Sequence, residues 1–549
     1  MEEDHINRHA RKKLQNLGSI QLRHLDTNEI ILIPTPSSNP NDPLNWYAAY
    51  RLYIAVLVCF AMFMTNFLAA GPSVAIVSMT ESFFGPPGPN MPAHIATTAY
   101  LYTVPALCQG MGMLFWMPFI AKYGRRPVYI ISFVIYTATA IWCGVTKSYG
   151  VELAGRVIMG LASGAGECLG PLTIADIFFL HERGSIMAMY TAALSMGVGG
   201  GIVISGLIVK TLSWRYIFYV GTALTGLTTI LVIFTFPETT FMRGQEQSIE
   251  IIPVGVVVDE GEKLSDTATH LENRLELELG SADAYRRQLP PSRSYLSSLR
   301  IFTGTYTSEP LWRIFLRPIS LVLLPPVLWA SLVMSVTIGF LVAITSNFAS
   351  AFAATYNFAP WQSGLCFISS IIGSFIAITF GGRVSDWTAD WFTKRNGGLR
   401  EPEMRLPAVV IGGIFVPVAL ILYGVGINNQ LHWMVPTLGL GCLNFAIVQL
   451  TSVSLVYTID CYRPAAGEVA VSQLVFKAAF GFLLSFYTNP WIDSLGYTKA
   501  FGSMAGIASV VILFAIPLYF FGKGIRRTTW NWSFVRKFAH WQDDREVGE

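Results

Sequence analysis

Charge is what this sequence has least of. Only 13% of its 549 residues are Asp, Glu, Lys or Arg, against about 25% in an ordinary soluble domain. Hydrophobic residues make up 52%. A chain so poor in charge cannot cover two or three water-facing domains, so lipid must be its main solvent. The net charge of +3, with the basic residues not pooled in one patch, is too small to suggest nucleic acid as a partner, and none is expected. There is no CxxC or CxxxC pair. The seven cysteines sit mostly inside apolar runs, as do Cys59, Cys108, Cys143 and Cys442, and read as small hydrophobes rather than metal or redox ligands. GxxxxGK(S/T), HExxH and GxSxG are also missing, so no nucleotide-driven cycle or membrane-embedded hydrolase is indicated. No cofactor, metal or obligate protein partner is implied. The first fifty residues lack the apolar core and cleavage site of a signal peptide, leaving the first span as the expected insertion signal.

Long apolar runs are what the chain does have. A bilayer core needs about 20 apolar residues per helix. Such windows predict spans over 52–79, 96–120, 127–146, 151–176, 185–209 and 214–236, then over 319–349, 361–382, 406–427, 431–458, 468–490 and 499–521. The expected organisation is an all-α membrane protein of twelve transmembrane helices in two six-helix bundles. Residues 1–51 form a cytosolic segment, 52–236 the first bundle, 237–318 a cytosolic linker, 319–521 the second bundle and 522–549 a cytosolic tail.

Orientation follows from the short loops, because Lys and Arg stay in the cytosol. One side collects Arg8, Arg11, Lys12, Lys13, Arg23, Arg51, Lys122, Arg125, Arg126, Arg183, Arg383, Lys394, Arg395, Arg400, Arg405, Lys523, Arg526 and Arg527. The other holds Lys147, Lys210, Arg215 and Lys499. Both termini are expected in the cytosol, where the sequon Asn531-Trp532-Ser533 stays unglycosylated. The segment 529–541, with Trp530, Trp532, Phe534, Phe538 and Trp541, reads as an interfacial helix or a disordered tail.

The loop after span 2 reads KYGRRP, Lys122 to Pro127. It resembles the loop motif GxxxD(R/K)xGR(R/K) of the major facilitator superfamily. Gly124, Arg125, Arg126 and Lys122 match, whereas Met117 and Ala121 stand where the motif has its glycine and acid. The second half carries a partial copy, GGRVSD, with Gly382 and Asp386 at the glycine-to-acid spacing. Arginine forks in such loops can hold carboxylates at neighbouring helix ends and close the cytosolic side. The candidate gate is Gly124, Arg125, Arg126, Asp176 and Asp386, with Glu182, Asp460 and Glu468 as further acid partners; a plain topology signal is the other reading of the arginines.

Span 4 reads AGRVIMGLASGAGECLGPLTIADIFFLHERG from Ala154. Arg156 resembles the arginine that proton-coupled members carry in this span, which implies a part in proton transfer; an anchoring role is the alternative. Glu167, eleven residues on, falls on the same helix face about 16 Å along the axis. A charge at bilayer depth costs roughly 2.5–3.5 kcal/mol on insertion scales, so Glu167 should face the interior, as a cation or proton site or as a structural carboxyl. Lys477 in span 11 is the other deep charge, lining the cavity or pairing with Glu468 or Asp460. Asn66, Asn347, Asn444, Gln449 and Gln473 could bind solute or join helices. Gly160, Gly164, Gly166 and Gly170, and Gly197, Gly199, Gly200, Gly201 and Gly206, give small-residue faces for close helix contact.

NPNDPLNW, ADIFFLHERG, PETT, KRNGGLREPEMRLP and YTIDCYRPAAGE extend the resemblance over nearly all the chain except the linker, and specifically to fungal drug:proton antiporter-type members. The proline of that branch's span 5 motif is absent from MGVGGGIVISGLI. The branch includes exporters of toxins and secondary metabolites and a polyamine importer. The resemblance implies a secondary transporter in the plasma membrane, with a small organic solute and protons as partners, alternating access around a midplane cavity, and coupling through Arg156, Glu167 and Lys477. Proton-coupled export of a metabolite, toxin or drug is the leading expectation, uptake of a polyamine or organic cation the second, and a non-transporting sensor on the same fold the third.

Overall fold

The computed structural model describes residues 18, 20–21, 32–37, 39–241 and 294–539. Arg8, Arg11, Lys12, Lys13, Arg23, Trp541 and most of the linker lie outside the described residues. Ten helical runs cross as single spans. Span 1 is Ala48–Phe84, span 2 Met91–Tyr123, span 3 Arg125–Val145, span 4 Tyr149–Ile177, span 5 Arg183–Val209 and span 6 Arg215–Thr235. Span 7 is Pro325–Tyr356, span 8 Pro360–Arg395, span 9 Pro402–Asn428 and span 10 Met434–Cys461. The remaining run, Ala466–Leu513, is turned at Gly496, whose φ of 76° is open to glycine without strain. That turn divides it into span 11 (466–495) and span 12 (497–513), the latter continued by the helix Ala515–Trp530. Twelve crossings result among the described residues.

Spans 1–6 and 7–12 each build a bundle around a buried apolar core, and the two meet along spans 2 and 11 and spans 5 and 8. Both ends of the described chain lie on one side, hereafter the termini side: Gly18 packs against the Arg526 guanidinium and the carbonyls of Asp460 and Cys461. Ile20–Gln21 pairs antiparallel with Leu399–Arg400 in the loop between spans 8 and 9.

Three departures from the hydropathy reading have local causes. The apolar run expected to open span 7 at 319 divides instead into the helix Leu311–Leu321 and a short link, because Pro325 and Pro326 cannot continue a preceding helix. Leu311–Leu321 is amphipathic, burying Ile314, Arg317 and Leu321 while Trp312 and Ile319 stay exposed. Span 8 does not end at 382. It runs on to Arg395 through a π-helical segment, Ile378–Gly382, so Asp386 stands within a helix rather than in a loop. Beyond span 12, a helix covers Ser533–Ala539.

Span 5 owes its close packing to glycine. Any side chain at Gly197 or Gly201 would press on the Phe63 or Phe67 carbonyl of span 1, while Gly199 and Gly206 face Ser370 and Trp361 of span 8. One glycine face therefore serves its own bundle and the other meets the second bundle.

Candidate functional site

The KYGRRP segment is hardly a loop. Gly124, at φ 95°, is the single residue between spans 2 and 3. Its missing side chain admits the Glu238 carboxylate, which accepts from the backbone N–H groups of Arg125 (2.9 Å), Arg126 (3.1 Å) and Thr240 (2.9 Å). Glu238, from the PETT segment, thereby caps the N-terminus of span 3, where a carboxylate also meets the positive end of the helix dipole. Arg126 is buried and spends its guanidinium on carbonyls: Ile233 (2.7 Å), Leu299 (2.9 Å), Val232 and Phe236. Arg125 forks onto Asp176 at the end of span 4, at 3.1 and 3.4 Å. These contacts of Gly124, Arg125, Arg126 and Asp176 all fall within the first bundle and the two ends of the linker.

Asp386 reaches across. From span 8 it accepts from the Ser185 hydroxyl of span 5 (3.0 Å) and sits against Gly184, the second residue of that span. Behind it, Arg405 donates to Asp386 (2.8 Å) and to Asp460 at the end of span 10 (3.2 Å). Asp176–Arg125 and Asp460–Arg405 occupy matching places in the two repeats, but their acid neighbours do not match. Where Asp386 meets Gly184 in one repeat, Leu172 and Met117 meet Gly467, the second residue of the span 11 helix, in the other. Ala121 has no carboxylate to offer there.

The other acid partners are also taken. Glu182 lies 3.4 Å from Arg51. Glu468 faces Arg317 at 3.8 Å, and Arg317 is held more tightly by Glu309 at 2.6 Å. Burial, and then the nearby charge of Arg405, push the Arg400 guanidinium down to about 10.

Among the described residues, one deep ion pair lies between the bundles. Lys477 of span 11 donates to Oε1 of Glu167 in span 4. Glu167 is 1% exposed and the lysine 9% by side chain, and the Tyr190 hydroxyl donates to the Glu167 carbonyl at 2.6 Å. Lys477 therefore pairs with neither Glu468 nor Asp460, the partners expected from sequence. Near this level the Ser195 hydroxyl of span 5 is 2.5 Å from Oδ1 of Asn444 in span 10, a second polar link between bundles.

Arg156 lies elsewhere. It pairs with Glu152 one turn away (3.3 Å, both side chains 0% exposed), donates to the Leu68 carbonyl (2.9 Å), and stands 4.6 Å from the Phe218 ring centroid. The Thr146 hydroxyl bonds the same Glu152 at 2.6 Å. All these partners belong to the first bundle. Of the uncharged candidates, Asn66 bonds back to the Met62 carbonyl, Asn347 meets Asn489 and Tyr497, Gln449 holds Gly412 and Ala408, and Gln473 holds Thr458.

Glu238, Ser185, Arg405, Glu152 and Arg317 were not singled out as site residues by the sequence. Glu238 and Arg405 lie in segments the sequence had marked, PETT and KRNGGLREPEMRLP.

Two six-helix bundles thus meet on the termini side through Asp386 and Ser185, and at depth through Lys477 and Glu167. The chain belongs to the Major Facilitator Superfamily, whose sequence profile matches residues 54–472. It is 26% identical to the uncharacterized MFS-type transporter C1271.10c of Schizosaccharomyces pombe, over 91% of this chain and 89% of that one. It is 24% identical to protein HOL1 of Saccharomyces cerevisiae (92% and 91%) and 24% identical to the MFS-type transporter penM of Penicillium rubens (89% and 88%). Its fold is similar to those of the human organic anion transporter MFSD10 (TM-score 0.54, 17% identity, 85% of this chain and 99% of that one) and the xylose transporter XylE from E. coli (0.55, 14%, 86% and 98%).

Proposed function

We propose that this transporter is a proton-coupled secondary carrier of the plasma membrane, with both termini cytosolic, that exports a small organic solute such as a metabolite, toxin or drug. The observation that carries the coupling is the Lys477–Glu167 pair. A buried carboxylate satisfied by one lysine of the other bundle has two ways to lose that partner: it can take a proton, or it can take a cation. Either event removes a bond between bundles, which links occupancy of the site to the relative motion of the halves. Asp386, reaching from span 8 to span 5, then acts as the cytosolic latch, while Arg125, Arg126, Gly124 and Asp176 brace the first bundle so that it moves as one body. Export accords with the likeness to fungal efflux-type members.

Uptake of a polyamine or other organic cation is the second reading. It is favoured by the fact that Glu167 already holds an ammonium group, which a substrate ammonium can replace one for one. Flux in proteoliposomes under an imposed pH gradient, comparing native protein with Glu167→Gln on hydrophobic metabolites and polyamines, separates the two. Antiport of a hydrophobic solute supports export, and Glu167-dependent polyamine entry supports uptake. Gradient-driven flux that the variant leaves untouched removes Glu167 from coupling in both.

A further inference from the structure

Arg463 opens the short 3-10 turn Arg463–Ala465 that leads into span 11. Its Nε and Nη1 are shut off from solvent, and neither has a hydrogen-bond partner among the described residues. A guanidinium carries five N–H donors in a fixed plane, and burying them unpaired is strongly unfavourable. The charges whose fields reach Arg463 make matters worse. Asp460 is the acid that acts on it most strongly, and Arg183, Arg400 and Arg526 oppose that acid.

The neighbouring carboxylates are already engaged. Asp386 and Asp460 hold Arg405, Glu403 holds Arg526 through two bonds of 2.8 and 2.9 Å, and Asp390 lies 3.5 Å from Arg400. Asp460 keeps one oxygen, Oδ1, without a partner. Turning Arg463 onto it would set one carboxylate between two guanidinium groups and would still leave Nη2 of Arg400 and Nη2 of Arg405 buried and unpartnered. Donors and positive charge are thus in excess at one place. The N-termini of spans 5 and 11, which begin at Arg183 and Ala466, add to the positive field there.

We propose that Arg463, Arg400 and Arg405 form an anion site for a phosphate group on the termini side, facing the charge of Arg183. Three guanidinium groups with free N–H donors suit the several oxygens and the charge of a phosphate better than a single carboxylate. Arg183 belongs to the first bundle and the other three to the second, so a bound phosphate is shared across the closure and holds the termini side shut. The phosphate is supplied either by a lipid headgroup at the membrane surface or by a soluble ion.

The test uses the full-length purified protein and its tryptophan fluorescence on heating. In detergent, inorganic phosphate is compared with chloride at equal ionic strength. In nanodiscs, phosphatidylcholine is compared with phosphatidylcholine containing a phosphatidylinositol phosphate. The native protein should gain roughly 2–4 °C in Tm at saturation in at least one of the two media, and Arg463→Gln should lose that gain. A gain in detergent identifies the soluble ion, and a gain confined to nanodiscs identifies the headgroup. No gain in either medium, or an equal gain in the variant, overturns the site. If Arg463→Gln fails to fold, Arg400→Gln removes another of the free donors while leaving the backbone pairing of Leu399–Arg400 intact, and the same outcomes apply.

Discussion

Lys477 and Glu167 stand 310 positions apart in the chain and form a buried ion pair between the two bundles. Each is the other's counter-charge at depth. Removing one leaves an unpaired charge where water cannot reach it.

Single neutralisation should therefore cost more than double. Glu167→Gln or Lys477→Met alone is expected to lose about 3–5 kcal/mol of stability, and the combined change to recover most of it. Melting of the four proteins in the same detergent measures this. Additive losses would show that the two side chains do not act as a pair.

Asp386→Asn removes the charge from the contact with Ser185 and from the Arg405 bond. Bonds to charged groups contribute about 1.5–3 kcal/mol, so the termini side should open roughly tenfold more often. The rate of maleimide labelling at an introduced Ala188→Cys, a buried position of span 5 against Gly382 of span 8, measured with and without the Asp386 change, reads that opening directly. An unchanged rate would mean that Asp386 is no latch.

Glu238→Gln is a test of bracing rather than gating. The carboxylate caps span 3 and touches no group of the second bundle among its described contacts. The expected result is a loss of about 1–2 kcal/mol in stability with KM unchanged. A change in solute selectivity would place PETT closer to the transport path than its contacts indicate.

Arg156→Lys keeps the charge but loses the planar fork that meets Glu152, the Leu68 carbonyl and the Phe218 ring. Its thermal stability should fall while the ratio of protons to solute stays as in the native protein. A changed ratio, measured by paired pH and solute fluxes in proteoliposomes, would return Arg156 to the coupling machinery.

Much of the fold was legible because lipid imposes a simple rule: twenty apolar residues per crossing, with basic residues gathered on one side. What escaped that rule was decided by backbone chemistry. Pro325 and Pro326 divide one apolar run, and Gly496 turns another on a single residue. The π segment before Asp386 prolongs a helix that hydropathy ends, because Arg383–Arg395 is polar on most of its surface but still helical.

The site was less legible, for a geometric reason. Arg156 and Glu167 do share a face of span 4, as their spacing requires. That face, however, meets span 1 and span 6 at one depth and span 11 at another, so the same orientation gives unlike neighbours. Spacing along one helix says where a side chain points. It carries no information on which of eleven other crossings stands opposite.

The acid that the second repeat keeps at Asp386 and the first has lost at Ala121 sets the two sides of the closure under different physical control. Contact of Asp386 with the start of span 5 is a hydrogen bond to a charged group, which added salt weakens. Contact of Leu172 and Met117 with Gly467 weakens in the cold, as apolar association does. Salt and temperature are thus separate handles on the two halves of the seam between the bundles.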